Sequence, residues 1–423
     1  MPLDYPIATA TLTNGLRVVV SEDHSVPSIS ISLWVDVGSR HEVAGRTGLA
    51  HLFEHLMFQG SELVEEGEHM ALLMSQGGRA NATTSFDRTA YVESVPTGAL
   101  DLALWLEADR HGHLLPALTQ ANLDNQRDVV VEEKRQRYDT VPYGQALAHM
   151  CRLVFPPGHP YHHTTIGSMD DLAAATLEDV HDFFTAHYGP ATSILTLVGD
   201  VTAQEGFDLA ERYFGHLVDR TTARPQAKAA LMPLPAPVGL DLMEDVPSER
   251  LYLCFRLPPV TDPQFLHCAL ALDALASLTV SRLNLRLVRH EETVTGLSAS
   301  ALGLVDGSVG LLVLDIAEGA DLDDVERAVH EELRTFAESG PTEQELEASR
   351  ADTERSWLEA LANFDERAEL LSRAAGLFGD AGQVNHYLDE VVGATAAQVT
   401  TAAARWLQPQ AAATVRYRQE ASA

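Results

Sequence analysis

Basic residues are scarce in this chain: 61 Asp and Glu face only 29 Lys and Arg, a net charge of −32. Such a surface repels phosphodiester backbones and anionic lipid headgroups, so neither nucleic acid nor membrane is expected as a partner. Cysteine is nearly missing. Cys151, Cys254 and Cys268 are too few and too scattered for a disulfide framework, and each sits in an apolar setting. That pattern points to packed thiols in a reducing cytoplasm. No apolar run reaches transmembrane length, and the opening Met1-Pro-Leu-Asp-Tyr-Pro6 has neither a basic n-region nor an apolar h-region, so no signal peptide is expected. What remains is a globular balance, 45% apolar and 21% charged over 423 residues, enough for two or more domains with real cores.

Against that background one stretch stands out, Gly48-Leu-Ala-His-Leu-Phe-Glu-His-Leu-Met-Phe58. His51, Glu54 and His55 fall at i, i+3 and i+4, on one face of a helix. Leu52, Phe53, Leu56, Met57 and Phe58 surround them, and a charged trio in such company is costly unless it is paired or metal-bound. Two imidazoles one turn apart suit a Zn²⁺ ion, and the carboxylate beside them suits proton transfer from water. The order is H-x-x-E-H, the reverse of H-E-x-x-H.

Around this helix the chain alternates strands and helices. Ala8–Leu12, Leu16–Ser21 and Ser28–Val37 read as half-buried strands, with Asn14-Gly15 as a hairpin turn. Ala80–Ser85 and Thr89–Val95 read as two further strands, and a long helix is expected over Gln120–Asp139. A Pro-rich stretch from Thr221 to Pro237 reads as a linker. After it the order strand, helix, two strands, helices recurs: a strand at Arg250–Leu257, a helix at Phe265–Leu278, strands at Leu297–Leu304 and Ser308–Ile316. Helices follow over Asp321–Glu338 and Thr342–Arg373, with Ala396–Leu407 as the last. The expected class is α+β, with two packed halves. The boundaries are a zinc-binding domain at 1–220, a linker at 221–245 and a degenerate repeat at 246–423. The repeat's counterpart to the motif helix carries only His267 and Asp273, so it is read as structural or substrate-facing.

Two histidines leave zinc short of the three protein ligands a catalytic site usually has. The best source of a third is Asn125-Gln-Arg-Asp-Val-Val-Val-Glu-Glu-Lys134. Glu132 and Glu133 are both possible, but helical neighbours point about 100° apart, so only one can face the metal. Gly78-Arg-Ala-Asn-Ala-Thr-Thr84 is glycine-bordered and small, which suits an edge strand that pairs with an extended peptide.

Taken together these motifs resemble the pitrilysin (M16) family of zinc metallopeptidases, and most the short two-domain bacterial branch related to mitochondrial processing peptidase. The resemblance runs over nearly the whole chain. It includes Leu12-Thr-Asn-Gly-Leu-Arg-Val18, Gly38-Ser-Arg40, the motif stretch to Gly60, Asn81-Ala-Thr83 with Asp87-Arg-Thr89, Arg127-Asp-Val-Val-Val-Glu-Glu133, and His159-Pro-Tyr161 ahead of Ile166-Gly167. It implies two homologous α+β halves of the LuxS/metallopeptidase-like type, joined by a linker. It also implies Zn²⁺ held by His51, His55 and Glu133, because the family's ligand glutamate lies six residues after an arginine, here Arg127. Glu54 would be the general base, and Ala80, Asn81, Ala82 and Thr83 the substrate strand. The family's supporting glutamate is replaced by Gln126, which can hydrogen-bond but carries no charge.

The resemblance implies a zinc endopeptidase or peptide-processing protease for short or unfolded peptides. Many relatives also use an arginine and a tyrosine from the second half. The matching stretch here, Arg289-His-Glu-Glu-Thr-Val-Thr-Gly-Leu297, has no tyrosine, and Arg282, Arg286 and Arg289 fit a solvated helix face. The chain is therefore expected to be the zinc-bearing half of a heterodimer whose paralogous M16 subunit supplies Arg and Tyr, with a homodimer as the alternative. A non-catalytic assembly subunit and a zinc hydrolase of another substrate are the competing readings. His159, His162 and His163 are not expected to form a second metal site.

Overall fold

The computed structural model describes residues 3–221 and 231–420. Its first sheet has six strands: β1 (Ala8–Thr11), β2 (Arg17–Glu22), β3 (Ser28–Val35), β4 (Arg79–Thr84), β5 (Thr89–Pro96) and β6 (Ser193–Gly199), in the order β1-β2-β6-β3-β5-β4. The hairpin turn is where Asn14-Gly15 places it. Gly15 takes φ 94°, and the Asn14 amide reaches across to the Phe214 and Leu217 carbonyls. β2 and β6 run parallel and the other pairs antiparallel.

Central strand β3 is buried along almost its whole length, which requires cover on both faces. On one face Gly206 lies against Val20 and Tyr91 hydrogen-bonds Tyr188, so the helices Ala203–Phe214 and Leu177–His187 belong to that side. On the other, Val19, Trp34, Ile194 and Val198 form one apolar cluster with Leu361, Ala368, Leu371 and Ala375. The helix Phe364–Leu377 supplies this second cover. The stretch Thr342–Arg373, expected to be strongly helical, is so. Two helices are present, Glu343–Ala362 and Phe364–Leu377, because the Asn363 side chain accepts from the Asp365 and Glu366 amides and starts a new helix.

The second sheet holds β7 (Val238–Glu244), β8 (Arg250–Leu257), β9 (Val294–Leu302), β10 (Ser308–Ile316) and β11 (Ala412–Gln419), in the order β7-β11-β8-β10-β9. Its one parallel pair is β7 with β11, and the rest are antiparallel. This repeats the β2-β6-β3-β5-β4 pattern of the first sheet, so both halves are α+β on one plan. Two elements differ from expectation. Val238–Glu244, read as linker, is strand β7, and the last helix, Ala396–Trp406, is followed by a strand the sequence reading did not place, β11, the counterpart of β6. The linker residues 222–230 lie outside the described residues.

The chain divides into two compact units. One is built from the described residues of Met1–Lys134, His163–Gln226 and Trp357–Tyr387; the other from Arg135–His162, Ala227–Ser356 and Leu388–Ala423. This differs from the division 1–220 and 246–423. The first sheet takes its second helical cover from far down the chain, and residues 135–162 belong with the second sheet. Among the described residues no helix is long and apolar enough to cross a membrane.

Candidate metal centre

The motif helix runs from Leu49 to Leu56 and begins on Gly48 at φ 89°. A side chain cannot be placed there: a Cβ on Gly48 would stand 2.8 Å from the Ile166 carbonyl, and one on Gly167 would stand 2.2 Å from the Gly48 nitrogen. Two backbone segments touch at this point and fix where the helix starts. The Glu42 carboxylate closes the same end, accepting from the Gly48 and Ala50 amides at 2.9 and 2.7 Å. Its location at a helix N-terminus favours negative charge, yet burial outweighs this and pushes its carboxyl up to about 8. Leu49, Ala50, Leu52, Phe53 and Leu56 are buried. Phe53 packs among Phe183, Phe184 and Tyr188 at centroid distances of 5.8, 5.6 and 4.5 Å. Locking that apolar face leaves His51, Glu54 and His55 on the other.

The helix Gln120–Lys134 packs against the motif helix. Arg127 anchors it through the Leu172 and Ala175 carbonyls, at 2.8 and 2.7 Å. Leu123, Gln126 and Val130 are its buried residues, and Glu133 continues that stripe half-buried while Glu132 is exposed. Glu133 Oε2 stands 3.3 Å from His55 Nε2 and 3.7 Å from His51 Nε2. Donors bound to one tetrahedral zinc at 2.0–2.2 Å lie about 3.3–3.6 Å apart, so the spacing and the N,N,O set both fit Zn²⁺. These side chains keep 12%, 20% and 15% exposure, so the centre is recessed but reachable.

Glu54 lies beside the three. Thr84 Oγ1 donates to its Oε2 at 2.5 Å, and Thr84 is the last residue of β4, the free edge of the sheet. Burial raises the Glu54 carboxyl above its ordinary value, while Thr84, His55 and Arg88 pull it down. Burial depresses the His55 imidazole, but Glu133 and Glu54 outweigh this and the net shift is upward. Gln126 hydrogen-bonds the His55 ring and so occupies the supporting position.

The sequence candidates thus gather in two places. His51, His55, Glu133, Glu54 and Gln126 share one centre, and Ala80, Asn81, Ala82 and Thr83 form the edge strand next to it. His159, His162 and His163 do not converge. His159 stacks on Phe155 at 4.9 Å, and His162 Nδ1 lies 2.7 Å from the Phe155 carbonyl. Arg282 and Arg286 are not on a merely solvated face. Arg282 meets Glu345 at 2.6 Å, and Arg286 meets Glu291 and Glu331 at 2.8 and 3.1 Å.

Three features escaped the sequence reading. Thr84 could have been found, since it has the parity of Ala80 and Ala82 along the strand. Glu42 and a buried cluster, His69, Glu93, Glu107 and Arg110, gave no local signal. His69 Nε2 lies 2.7 Å from Glu93, and Arg110 pairs with Glu107 and lies 3.8 Å from Glu93. His69, Glu93 and Glu107 could converge on a metal, but the Arg110 guanidinium is already the cation there.

Comparison with known proteins agrees with the two-domain fold. Residues 17–153 match the model described as Insulinase (Peptidase family M16), and residues 174–352 match Peptidase M16 inactive domain. The zinc protease PqqE of Helicobacter pylori is 30% identical over 380 residues, covering 88% of this chain and 82% of that protein. An uncharacterized zinc protease of Mycobacterium leprae is 28% identical, covering 97% of this chain and 91% of its own. The crystal structure of a protease from Helicobacter pylori superposes with a TM-score of 0.91 at 25% identity, over 98% of this chain and 99% of that one.

Proposed function

The chain belongs to the M16 peptidase family, and from the geometry of its centre we propose a zinc-dependent endopeptidase or peptide-processing protease that acts on short or unfolded peptides. The observation that carries this reading is the convergence of His51, His55 and Glu133 beside Glu54, directly under an unpaired sheet edge. The relatives' description as zinc proteases supports it.

Bound at His51, His55 and Glu133, Zn²⁺ supplies Lewis acidity toward water and toward a carbonyl oxygen. Glu54 is the general base: its carboxylate takes the proton of the attacking water and delivers it to the leaving amine. Thr84 holds that carboxylate in one orientation. Gln126 steadies the His55 ring. The backbone of Ala80–Thr83 pairs with the substrate as an added strand, so recognition of an extended chain needs no particular side chain.

The same reading makes this the zinc-bearing subunit of a heterodimer whose paralogous M16 subunit contributes Arg and Tyr, with a homodimer as the alternative. It is supported by the missing tyrosine in Arg289–Leu297 and by the engagement of Arg282 and Arg286 with carboxylates. The reading includes a cytoplasmic location, which suits three buried free thiols. A non-catalytic assembly role is the weaker alternative, because it gives no reason to retain two imidazoles, a third ligand and a base at one point.

Incubating the protein with a quenched-fluorescent peptide library, alone and with the paralogue, tests both levels. Chelator-sensitive cleavage that rises on mixing is expected. No cleavage in either case, with zinc bound, would remove the protease reading. Full activity from a strictly monomeric sample would remove the heterodimer.

A further inference from the structure

The free edge of the first sheet has two faces, and only one of them looks at the metal centre. On β4, Ala80, Ala82 and Thr84 share the face of Glu54, since Thr84 donates to it and side chains alternate along a strand. Arg79, Asn81 and Thr83 stand on the opposite face. There the Phe364–Leu377 helix lies over the sheet, and a cleft of about 670 Å³ opens between it and β4. Val92, Ala360 and Leu370 give it an aliphatic lining. Its cations are already engaged: Arg79 meets Asp365 at 2.6 Å, and Arg88 meets Glu369 at 2.7 Å. Glu366 lines the same cleft, is exposed, and its carboxylate has no partner among the described residues.

We propose that this cleft is a specificity subsite for a basic side chain, Arg or Lys, of the peptide paired with β4. The inference rests on the reading of β4 as the substrate edge. A strand added to that edge sends alternate side chains to the two faces. When one residue is presented to the metal centre, its neighbours enter the cleft. Arg and Lys lay an aliphatic stem along apolar surface and keep the charged head in water. Val92 and Leu370 receive the stem, and Glu366 at the open side receives the head. An acidic side chain would meet the one uncompensated carboxylate, and a short polar one would leave the aliphatic lining uncovered. The chain's net charge of −32 adds long-range attraction for basic peptides.

Fluorescence anisotropy with labelled peptides tests this. Two peptides identical except for Arg or citrulline are compared at successive positions, using the full chain with Glu54→Gln so that bound peptide is not turned over. At alternate positions Arg is expected to bind about 3- to 5-fold more tightly than citrulline, the effect of a partly exposed ion pair. Glu366→Gln, a conservative change at an exposed site, should bring that ratio close to one, and Glu366→Lys should invert it. Equal affinity for the two peptides in the parent, or an Arg preference that survives Glu366→Gln, would overturn the subsite. Cleavage of the same peptides with Glu54 intact is read in parallel. An Arg preference without cleavage, alone or with the paralogue and with zinc bound, supports the subsite and removes the hydrolase reading, whereas cleavage without the preference does the reverse.

Discussion

Thr84 Oγ1 donates to Glu54 Oε2 at 2.5 Å and so ties the sheet's free edge to the proposed base. A hydrogen bond to a charged group is worth roughly 1.5–3 kcal/mol. Thr84→Val is therefore expected to lower kcat about tenfold, taking the lower figure, without loss of zinc. The hydroxyl also pulls the Glu54 carboxyl down. Its removal should move the acid limb of the kcat/KM profile to higher pH, because the base must be deprotonated to act. A Thr84→Val profile that overlays the wild type would show that this bond does not act on the base.

Glu133 and Glu132 make a matched pair of controls. Glu133 points at His51 and His55, and Glu132 is exposed. Glu133→Gln should weaken zinc binding by at least about 10- to 100-fold, the range for losing even a supporting partner, while Glu132→Gln should bind zinc like the wild type. Titration against a competing chelator checks this, and the opposite ranking would hand the ligand role to Glu132.

Arg110 carries the buried cluster beneath the motif helix. It pairs with Glu107, and its guanidinium lies 4.8 Å from the Phe58 ring and 4.6 Å from the Tyr91 ring. Removing the cation leaves two buried carboxyls facing each other. Arg110→Met should destabilise the fold by about 3–5 kcal/mol, read as a large fall in Tm. Replacing Glu93 and Glu107 by Gln in the same chain should recover part of it.

Glu42 gives a pH signature in the metal-free protein. Burial pushes its folded-state carboxyl up to about 8, against an ordinary 4.5. A raised value means that the folded chain holds the proton more tightly than the unfolded chain. The stabilisation is complete below pH 4.5 and is lost as pH rises toward 8. Glu42→Gln cannot ionise, so its Tm should decline less steeply across that window. Equal slopes would mean that Glu42 does not titrate there.

Much of the centre was legible because its residues are close in sequence and helical spacing dictates who faces whom. His51, Glu54 and His55 needed only the 3.6-residue period. The choice between Glu132 and Glu133 stayed open on the residues alone, since it depends on which side of the helix Gln120–Lys134 is packed. Burial of Gln126 and Val130 sets that side. The His69–Glu93–Arg110 cluster could not be read at all. Glu93 occupies an inward strand position where polarity suggests the opposite, and its partners meet it only in three dimensions.

The fold was legible to a similar depth. Strand β11 carries alternation only in its second half, Val415 and Tyr417 inward against Arg416 and Arg418; its first residues, Ala412 to Thr414, are all buried and follow Pro409 with no two-residue period. Its pairing with β7 is non-local, so neither strand announces the other. The break at Asn363 hides in a sequence rich in helix formers on both sides, where one capping residue outweighs average propensity.

In the proposed mechanism Glu54 moves the proton while His51, His55 and Glu133 hold the metal. Its most direct test is a single comparison of purified wild type with Glu54→Gln, in which zinc content and peptide cleavage are measured on the same samples. Equal zinc and a cleavage rate lower by a factor of about 10²–10⁴ or more are expected. Cleavage by Glu54→Gln at the wild-type rate, with zinc in place, would contradict this mechanism.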